Sequence, residues 1–430
     1  MCGIFYSNLN ISDLDKLDSI KYRGPENFTT FKSDNGFFAH ALLSTIGPSV
    51  KQPVHSSQGT LIYNGSTYNY QGSNFLNDTQ WIVANLDYKL NTTIDLIKSL
   101  RGEYALCYVT DNHVVFAADQ WFTKNLWYFY NKSQKIIAVC SHPDVLIKLY
   151  GAAWPCEENT IYSLNRDTFS ISITTTTEWN FDQTIGHLDY VFEEFEKSVC
   201  IRHTKTSIAL ISSGADSGAI NCCLEKHQIP TIRMCNTTEE DNEIFQERIQ
   251  RHNAVIVNDL SYTDEEVDAV MQIREHPNLK STNLNNAKYN TFCKVATELG
   301  CKSFIVGDGA DEIYADYGRN GQRLRPHSKY GGVWHENLEL LWPWHNSYSI
   351  LYHLNSRIDQ ILGFNGKETR IPYLDQELVQ QWINTTVKLK NSGYKHWIYE
   401  YLRNADYPHH NEKIGFGGKT VVKNFCKTRF

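Results

Sequence analysis

At 430 residues the chain exceeds the size at which single hydrophobic cores stop growing, so two domains are expected. A net charge of −7 offers no basic face for nucleic acid, and apolar runs of only strand length argue against a membrane span. The opening Met1-Cys2-Gly3 lacks the charged and apolar regions of a secretory signal, and eleven scattered cysteines without a C-x-x-C pair suit a reducing, cytoplasmic compartment.

In chain order, Ser12 is expected to cap a short helix that turns Leu14, Leu17 and Ile20 inward. Strands are predicted over 60–63, 104–109, 114–118 and 135–139, and a helix over 79–88. The run 174–177 is polar and β-prone. A domain junction is expected beyond it, giving domains 2–182 and 188–430.

Cys2 holds the main chemistry of this half. With Met1 removed, one residue carries both a thiol and a free α-amine, whose pKa of roughly 7.7–8 suits a general base. Nucleophile and base then arrive together. Tyr22-Arg23-Gly24-Pro25-Glu26 reads as a turn bearing an arginine. Tyr63-Asn64-Gly65 sets an amide side chain and a flexible backbone N–H at a strand end, where they could form an oxyanion hole.

The second half alternates strands and helices: helix 188–199, strand 208–211, strand 231–234, helix 239–252, strand 255–257, helix 263–274, helix 285–299 and strand 303–306. Such alternation predicts a parallel, doubly wound sheet whose ligands bind beyond the carboxyl ends of the strands. Two loops fall there. In Ser212-Ser213-Gly214-Ala215-Asp216-Ser217-Gly218 the small residues let backbone N–H groups approach an anion, and a helix N-terminus follows. No Walker lysine is present, which disfavours a kinase or motor ATPase. The second loop is Gly307-Asp308-Gly309-Ala310-Asp311-Glu312. Trp334, Trp342 and Trp344 with His335 and His345 lack metal spacing and read as core or lid; His409-His410 reads as a surface loop and Cys222-Cys223 as packing.

These motifs carry a resemblance. M-C-G-I, Y-R-G-P-E, F-A-H-A-L-L-S, K-Q-P, Y-N-G-S-T-Y-N and N-D-T-Q-W-I are similar in order and spacing to the glutaminase domain of glutamine-dependent asparagine synthetases. The resemblance implies an α+β N-terminal nucleophile (Ntn) hydrolase fold, an αββα sandwich, in which Cys2 is the nucleophile. It further implies Asn64 and Gly65 as oxyanion donors and Asp78 as the group that holds the α-amine of glutamine, with Arg23 architectural. Two positions depart from the family. Leu42 stands where an arginine normally grips the α-carboxylate of glutamine, and Ser66 where an acidic residue is usual. Losing that arginine removes a charge-assisted, bidentate contact.

The loop at 212–218 resembles the S-G-G-x-D-S pyrophosphate loop of ATP-pyrophosphatases, with Ser213 and Gly218 off pattern, and 307–312 is similar to G-[DE]-G-x-D-E. The resemblance implies an α/β ATP-pyrophosphatase domain using ATP and Mg²⁺. Ser212, Gly214, Asp216, Ser217, Gly307 and Lys395 would then face the nucleotide phosphates, with Arg403 competing with Lys395. Asp216 and Asp311 would be Mg²⁺ ligands, suited to a hard cation, and Asp308 the base that relieves the attacking ammonia of a proton. Glu368 to Asp375, E-T-R-I-P-Y-L-D, resembles a substrate-domain signature, and Glu412 to Gly417 a K-x-G-F segment.

The expected function is amidation of a carboxylate through an acyl-adenylate. Glutamine or ammonia supplies the nitrogen, and aspartate is the default acceptor. Another small carboxylic acid as acceptor, and a non-catalytic nucleotide-binding paralogue, stand as alternatives. No nucleic acid or membrane partner is expected, and the sequence is compatible with a homodimer.

Overall fold

The computed structural model describes residues 1–236, 243–257, 284–326, 328–339 and 350–410. The chain divides into two compact units. The first holds Met1–Asn180 and, from much later in the chain, residues 350–369; the second holds the remainder.

In the first unit two six-stranded antiparallel sheets face each other. One comprises β1 (Gly3–Ser7), β2 (Asn27–Ser33), β3 (Gly36–Leu42), β8 (Trp127–Asn131), β9 (Ile136–Cys140) and β10 (Trp154–Pro155), in the order β10-β8-β9-β1-β3-β2. The other comprises β4 (Val54–His55), β5 (Thr60–Thr67), β6 (Gly102–Val109), β7 (His113–Ala118), β11 (Thr160–Asn165) and β12 (Ser170–Thr175), in the order β12-β11-β7-β6-β5-β4.

Period-two alternation explains the layering. Ile4, Tyr6, Phe38 and Val139 turn one way and meet Ile62, Cys107, Val114 and Phe116 of the opposite sheet in a shared core. Their neighbours Phe5, Ala39 and Cys140 turn the other way, against Leu17, Ile20, Val145 and Leu146 of α1 (Asp18–Lys21) with its leading turn and of α4 (Pro143–Tyr150). On the far side Leu61, Tyr63 and Leu106 pack on Ile82, Ile97 and Leu100, from α2 (Asp78–Asn85) and α3 (Leu90–Ser99) with the residue that ends it. The result is the αββα sandwich.

The first helical element begins one residue later than expected. Asp13, not Ser12, caps a 3₁₀ turn at Leu14–Leu17 by accepting from the N–H of Asp15 at 3.3 Å. The expected helix over 79–88 stops at Asn85, because Leu86 adopts an extended conformation with ψ 143°.

In the second unit β13 (Ser207–Leu210), β14 (Ile232–Asn236), β15 (Val255–Val257) and β16 (Ser303–Ile305) pair in parallel, in the order β15-β14-β13-β16. Beyond β16 the sheet ends on the strand Glu368–Arg370, with Val306 N–H donating to Arg370 O at 3.1 Å. Strand order reverses between β13 and β16, so the crevice for a ligand opens where they end. Helices α5 (Asp189–Arg202), α6 (Ala215–Lys226) and α7 (Glu243–His252) connect or flank these strands. Residues 263–274 and 412–417, and Trp342, Trp344 and His345, lie outside the described residues.

In this unit Arg370 and Asp375 of the E-T-R-I-P-Y-L-D stretch both engage Arg202. Arg370 donates to Arg202 O at 2.6 Å. Asp375 pairs with Arg202 at 2.7 Å, both buried, and also caps the helix Gln376–Asn384. Trp334 packs edge-on against Trp382 at 5.5 Å as core. Cys222 and Cys223 are both buried on α6.

Candidate functional sites

In the first unit, Cys2 immediately precedes β1, and the pairing of Gly3 with Ala41 brings it beside the end of β3. Its sulfur receives the Leu43 N–H at 3.4 Å. Burial pushes the thiol up to about 11. Arg23 anchors the same residue from behind, its Nε donating to Cys2 O at 3.1 Å while Nη2 meets Asp359 Oδ2 at 2.8 Å. Arg23 is therefore architectural. With Met1 in place the Cys2 nitrogen is an amide. The Met1 amine is itself buried, donates to Lys367 O at 2.9 Å, and is lowered to about 5 by desolvation.

β5 supplies the facing groups. Tyr63 N–H donates to Gln52 Oε1 at 2.7 Å and Thr67 N–H to Asp78 Oδ2 at 3.1 Å, both away from β6. Strand alternation aims the Gly65 N–H at that same edge. Gly65 has φ 132°, and a Cβ there would lie 2.1 Å from Glu103 O, so glycine is required. Both polar atoms of the Asn64 side chain are buried without a hydrogen-bond partner. Asn64 is not among the residues that border the cavity lined by Gly65.

Asp78 completes the pocket. Its carboxylate accepts from Tyr63 OH at 2.9 Å and Thr79 N–H at 2.7 Å, and burial raises it to about 6. Cys2, Leu42, Gly65 and Asp78 all border one cavity of about 30 Å³, and none of the described residues lining it is Lys or Arg. Ser66, at the usually acidic position, donates to the buried Glu368 at 2.7 Å. Thus an acid reaches this place from the far end of the chain. Glu368, read from sequence only as part of a signature, is a partner of Ser66 that local motif reading missed.

In the second unit the two loops do end β13 and β16. Ser212 Oγ and Ser217 Oγ lie 2.7 Å apart, and Gly214 N–H donates to Ser212 Oγ at 3.2 Å, which folds the loop on itself. Arg248 of α7, fully buried, donates to Ser212 O and, at 2.9 Å, to Gly214 O. A Cβ on Gly218 would sit 2.4 Å from the Arg248 guanidinium, which accounts for glycine there. Arg248 carries no motif signal of its own, and only the fold brings it to the loop.

Asp216 and Asp311 converge on Lys395, whose Nζ lies 2.7 Å from Asp216 Oδ1 and 2.8 Å from Asp311 Oδ1. Burial opposes the Lys395 charge, but the two carboxylates outweigh it and hold the ammonium well above its usual range. Tyr394 OH donates to Asp311 at 2.7 Å. Gly307 lies against Asp216, where a Cβ would come within 3.1 Å. Asp308 shares the loop with Glu312, which is buried beside Asp311 and pushed up to about 7, chiefly by desolvation. Arg403 instead pairs with Glu400 at 2.7 Å on the surface of the helix His396–Asn404.

Residues 1–180 match the family described as a glutamine amidotransferase domain. The chain is also similar to "Putative asparagine synthetase (glutamine-hydrolyzing) 1" of Methanocaldococcus jannaschii, at 23% identity over 456 residues, covering 91% of this chain and 81% of that protein. Among solved structures it is similar to the glutamine phosphoribosylpyrophosphate amidotransferase of B. subtilis (TM-score 0.34, 16% identity, 54% of this chain and 65% of that one). Another is an allosteric regulatory enzyme of purine biosynthesis (TM-score 0.32, 13% identity, 64% of this chain and 87% of that one). No helix among the described residues is long and apolar enough to cross a membrane.

Proposed function

We propose that the chain is an ATP- and Mg²⁺-dependent amide synthetase that converts a carboxylate, by default aspartate, to its amide, with nitrogen from glutamine or ammonia. The observation that carries this reading is the meeting of Asp216 and Asp311, from the two loops, on Lys395. Their carboxylate oxygens are the donor type that a hard divalent cation takes. Asp216 and Asp311 would hold Mg²⁺, which supplies neutralisation of charge on the departing pyrophosphate.

The chain's own residues supply the rest. Backbone N–H groups of the 212–218 loop and the start of α6 receive phosphate oxygens. Lys395 offsets charge as an acceptor carboxylate oxygen bonds to the α-phosphorus and pyrophosphate leaves. Ammonia then attacks the acyl carbon of the adenylate, AMP leaves, and Asp308 takes the surplus proton. Acceptor acids have room in a cavity of about 160 Å³ bordered by Arg319, Tyr394 and Lys395.

In the first unit, removal of Met1 frees the Cys2 amine to take the thiol proton. The sulfur attacks the carboxamide of glutamine, Asn64 and Gly65 receive the oxyanion, and ammonia leaves. Water then hydrolyses the thioester. Asp78 holds the substrate α-amine. The absence of Lys and Arg among the described residues lining the Cys2 cavity favours a second reading, in which free ammonia is the better donor.

The test is incubation with ATP, Mg²⁺, aspartate and either glutamine or ammonium, following pyrophosphate and asparagine. Pyrophosphate without asparagine redirects the search to other acids, and nucleotide binding without pyrophosphate from any carboxylate sinks the enzyme reading. Cys2→Ala is expected to abolish glutamine use and spare ammonium use. Equal loss of both would contradict the assignment of Cys2.

A further inference from the structure

Away from the loops, helices α5 and α6 of the second unit bring sulfur and nitrogen donors to one place. Cys200 lies in the last turn of α5, Cys223 near the end of α6, and His227 is the residue that caps α6. One donor atom of each lies within 4.8 Å of the other two. Helical spacing produces the cluster. Cys223 and His227 are four residues apart and stack on one face of α6, and Glu196 and Cys200 are four apart on α5.

Glu196 joins from its own helix, 2.8 Å from His227 Nε2, and is itself held by Tyr401 OH at 2.9 Å. A carboxylate on the imidazole is the usual partner that orients a metal-binding histidine. Cys223 is buried, Cys200 half-buried and His227 exposed, so a cation has a way in from solvent.

We propose that Cys200, Cys223 and His227 form a Zn²⁺ site, with Glu196 as the orienting carboxylate. Two thiolates and an imidazole are a donor set that selects Zn²⁺ over the hard cation suited to Asp216 and Asp311. Three protein ligands leave the fourth tetrahedral position for water. Binding expels the two thiol protons to solvent, with no change in oxidation state. The metal would fasten the end of α5 to the end of α6, the helix whose first turn carries Asp216 and Ser217.

The test uses the full chain, reduced and stripped with chelator, titrated with Co²⁺. One equivalent is expected to give thiolate-to-cobalt charge-transfer absorption and the strong visible bands of tetrahedral coordination, which Zn²⁺ then bleaches. Cys200→Ser is expected to remove the charge-transfer bands or shift them to a weaker site. Cys222→Ser, one residue from the cluster, is expected to keep them. Glu196→Gln is expected to weaken binding roughly 10–100-fold. In the unaltered protein, Zn²⁺ is expected to protect Cys200 from alkylation, read by mass spectrometry, which needs no variant to fold. Absence of thiolate bands, bands unchanged by Cys200→Ser, or equal Cys200 alkylation with and without Zn²⁺ would each overturn the proposal.

Discussion

Asp78 accepts hydrogen bonds from Tyr63, Thr67 and Thr79 under near-complete burial, and the burial wins: its carboxyl is raised to about 6. If the anion holds the α-amine of glutamine, glutamine use should rise with pH through about 6, as Asp78 loses its proton. Asp78→Asn should raise KM for glutamine and flatten that limb of the profile, while ammonium-dependent turnover keeps its own pH dependence. A pH series of initial rates with each donor checks this. The motifs that hold Cys2, Gly65 and Asp78 were legible in the sequence, and the structure brings these three residues to one cavity. Glu368 and Arg248 were not legible. Ser66 and Glu368 are 302 positions apart, and nothing along the chain announces that one will donate to the other. The same holds for Gly218, whose missing side chain makes sense only once Arg248 is seen against it.

At the scale of elements, the expected strands 60–63, 104–109, 114–118 and 135–139 are all found, while β1, β2, β3, β8 and β11 were not read from the sequence. Inner strands of the first unit such as β6 and β7 are buried on both faces, so they appear as plain apolar runs whose middles are obvious and whose limits are not. β5 runs on from the expected 60–63 to Thr67 because its pairing with β6 continues to Gly102. That extension places Asn64, Gly65 and Thr67 within a sheet, where alternation fixes which way each N–H points. Helix starts turned on which of two adjacent residues supplied the cap, and Ser12 and Asp13 are both competent. Between the sheets, Phe116 is fully buried and stacks on Tyr162 with ring centroids 4.9 Å apart. Phe116→Ala should cost about 3–5 kcal/mol, measured by denaturant unfolding. A loss below about 1 kcal/mol would mean that this inter-sheet core does not pack as described.

For the whole molecule, sequence order and spatial grouping diverge. A single boundary between 182 and 188 assumes contiguous domains, yet residues 350–369 belong with the first unit. Sequence periodicity reports which face of an element is apolar; it does not report which partner covers it. The consequence is a buried ion pair inside the first unit, Arg23 with Asp359, 1% and 0% exposed. Removing one member of such a pair strands the other charge in a low-dielectric interior, so Asp359→Asn should destabilise the first unit by about 3–5 kcal/mol. For the same reason a chain cut to residues 1–182 should be less stable than the intact protein, with Arg23→Met recovering part of the loss. Thermal unfolding of the shortened and intact chains decides the point.

Lys395 adopts φ 46° and ψ 43°, the left-handed region, at the start of the helix His396–Asn404. An L-residue held there carries roughly 1–2 kcal/mol of backbone energy that glycine would not. The chain thus keeps a loaded spring at the residue that joins Asp216 to Asp311, and its tension can be read separately from its charge. Lys395→Ala and Lys395→Gly both delete the ammonium, but only the second releases the spring. The glycine variant should therefore unfold at higher denaturant than the alanine variant while being just as inactive.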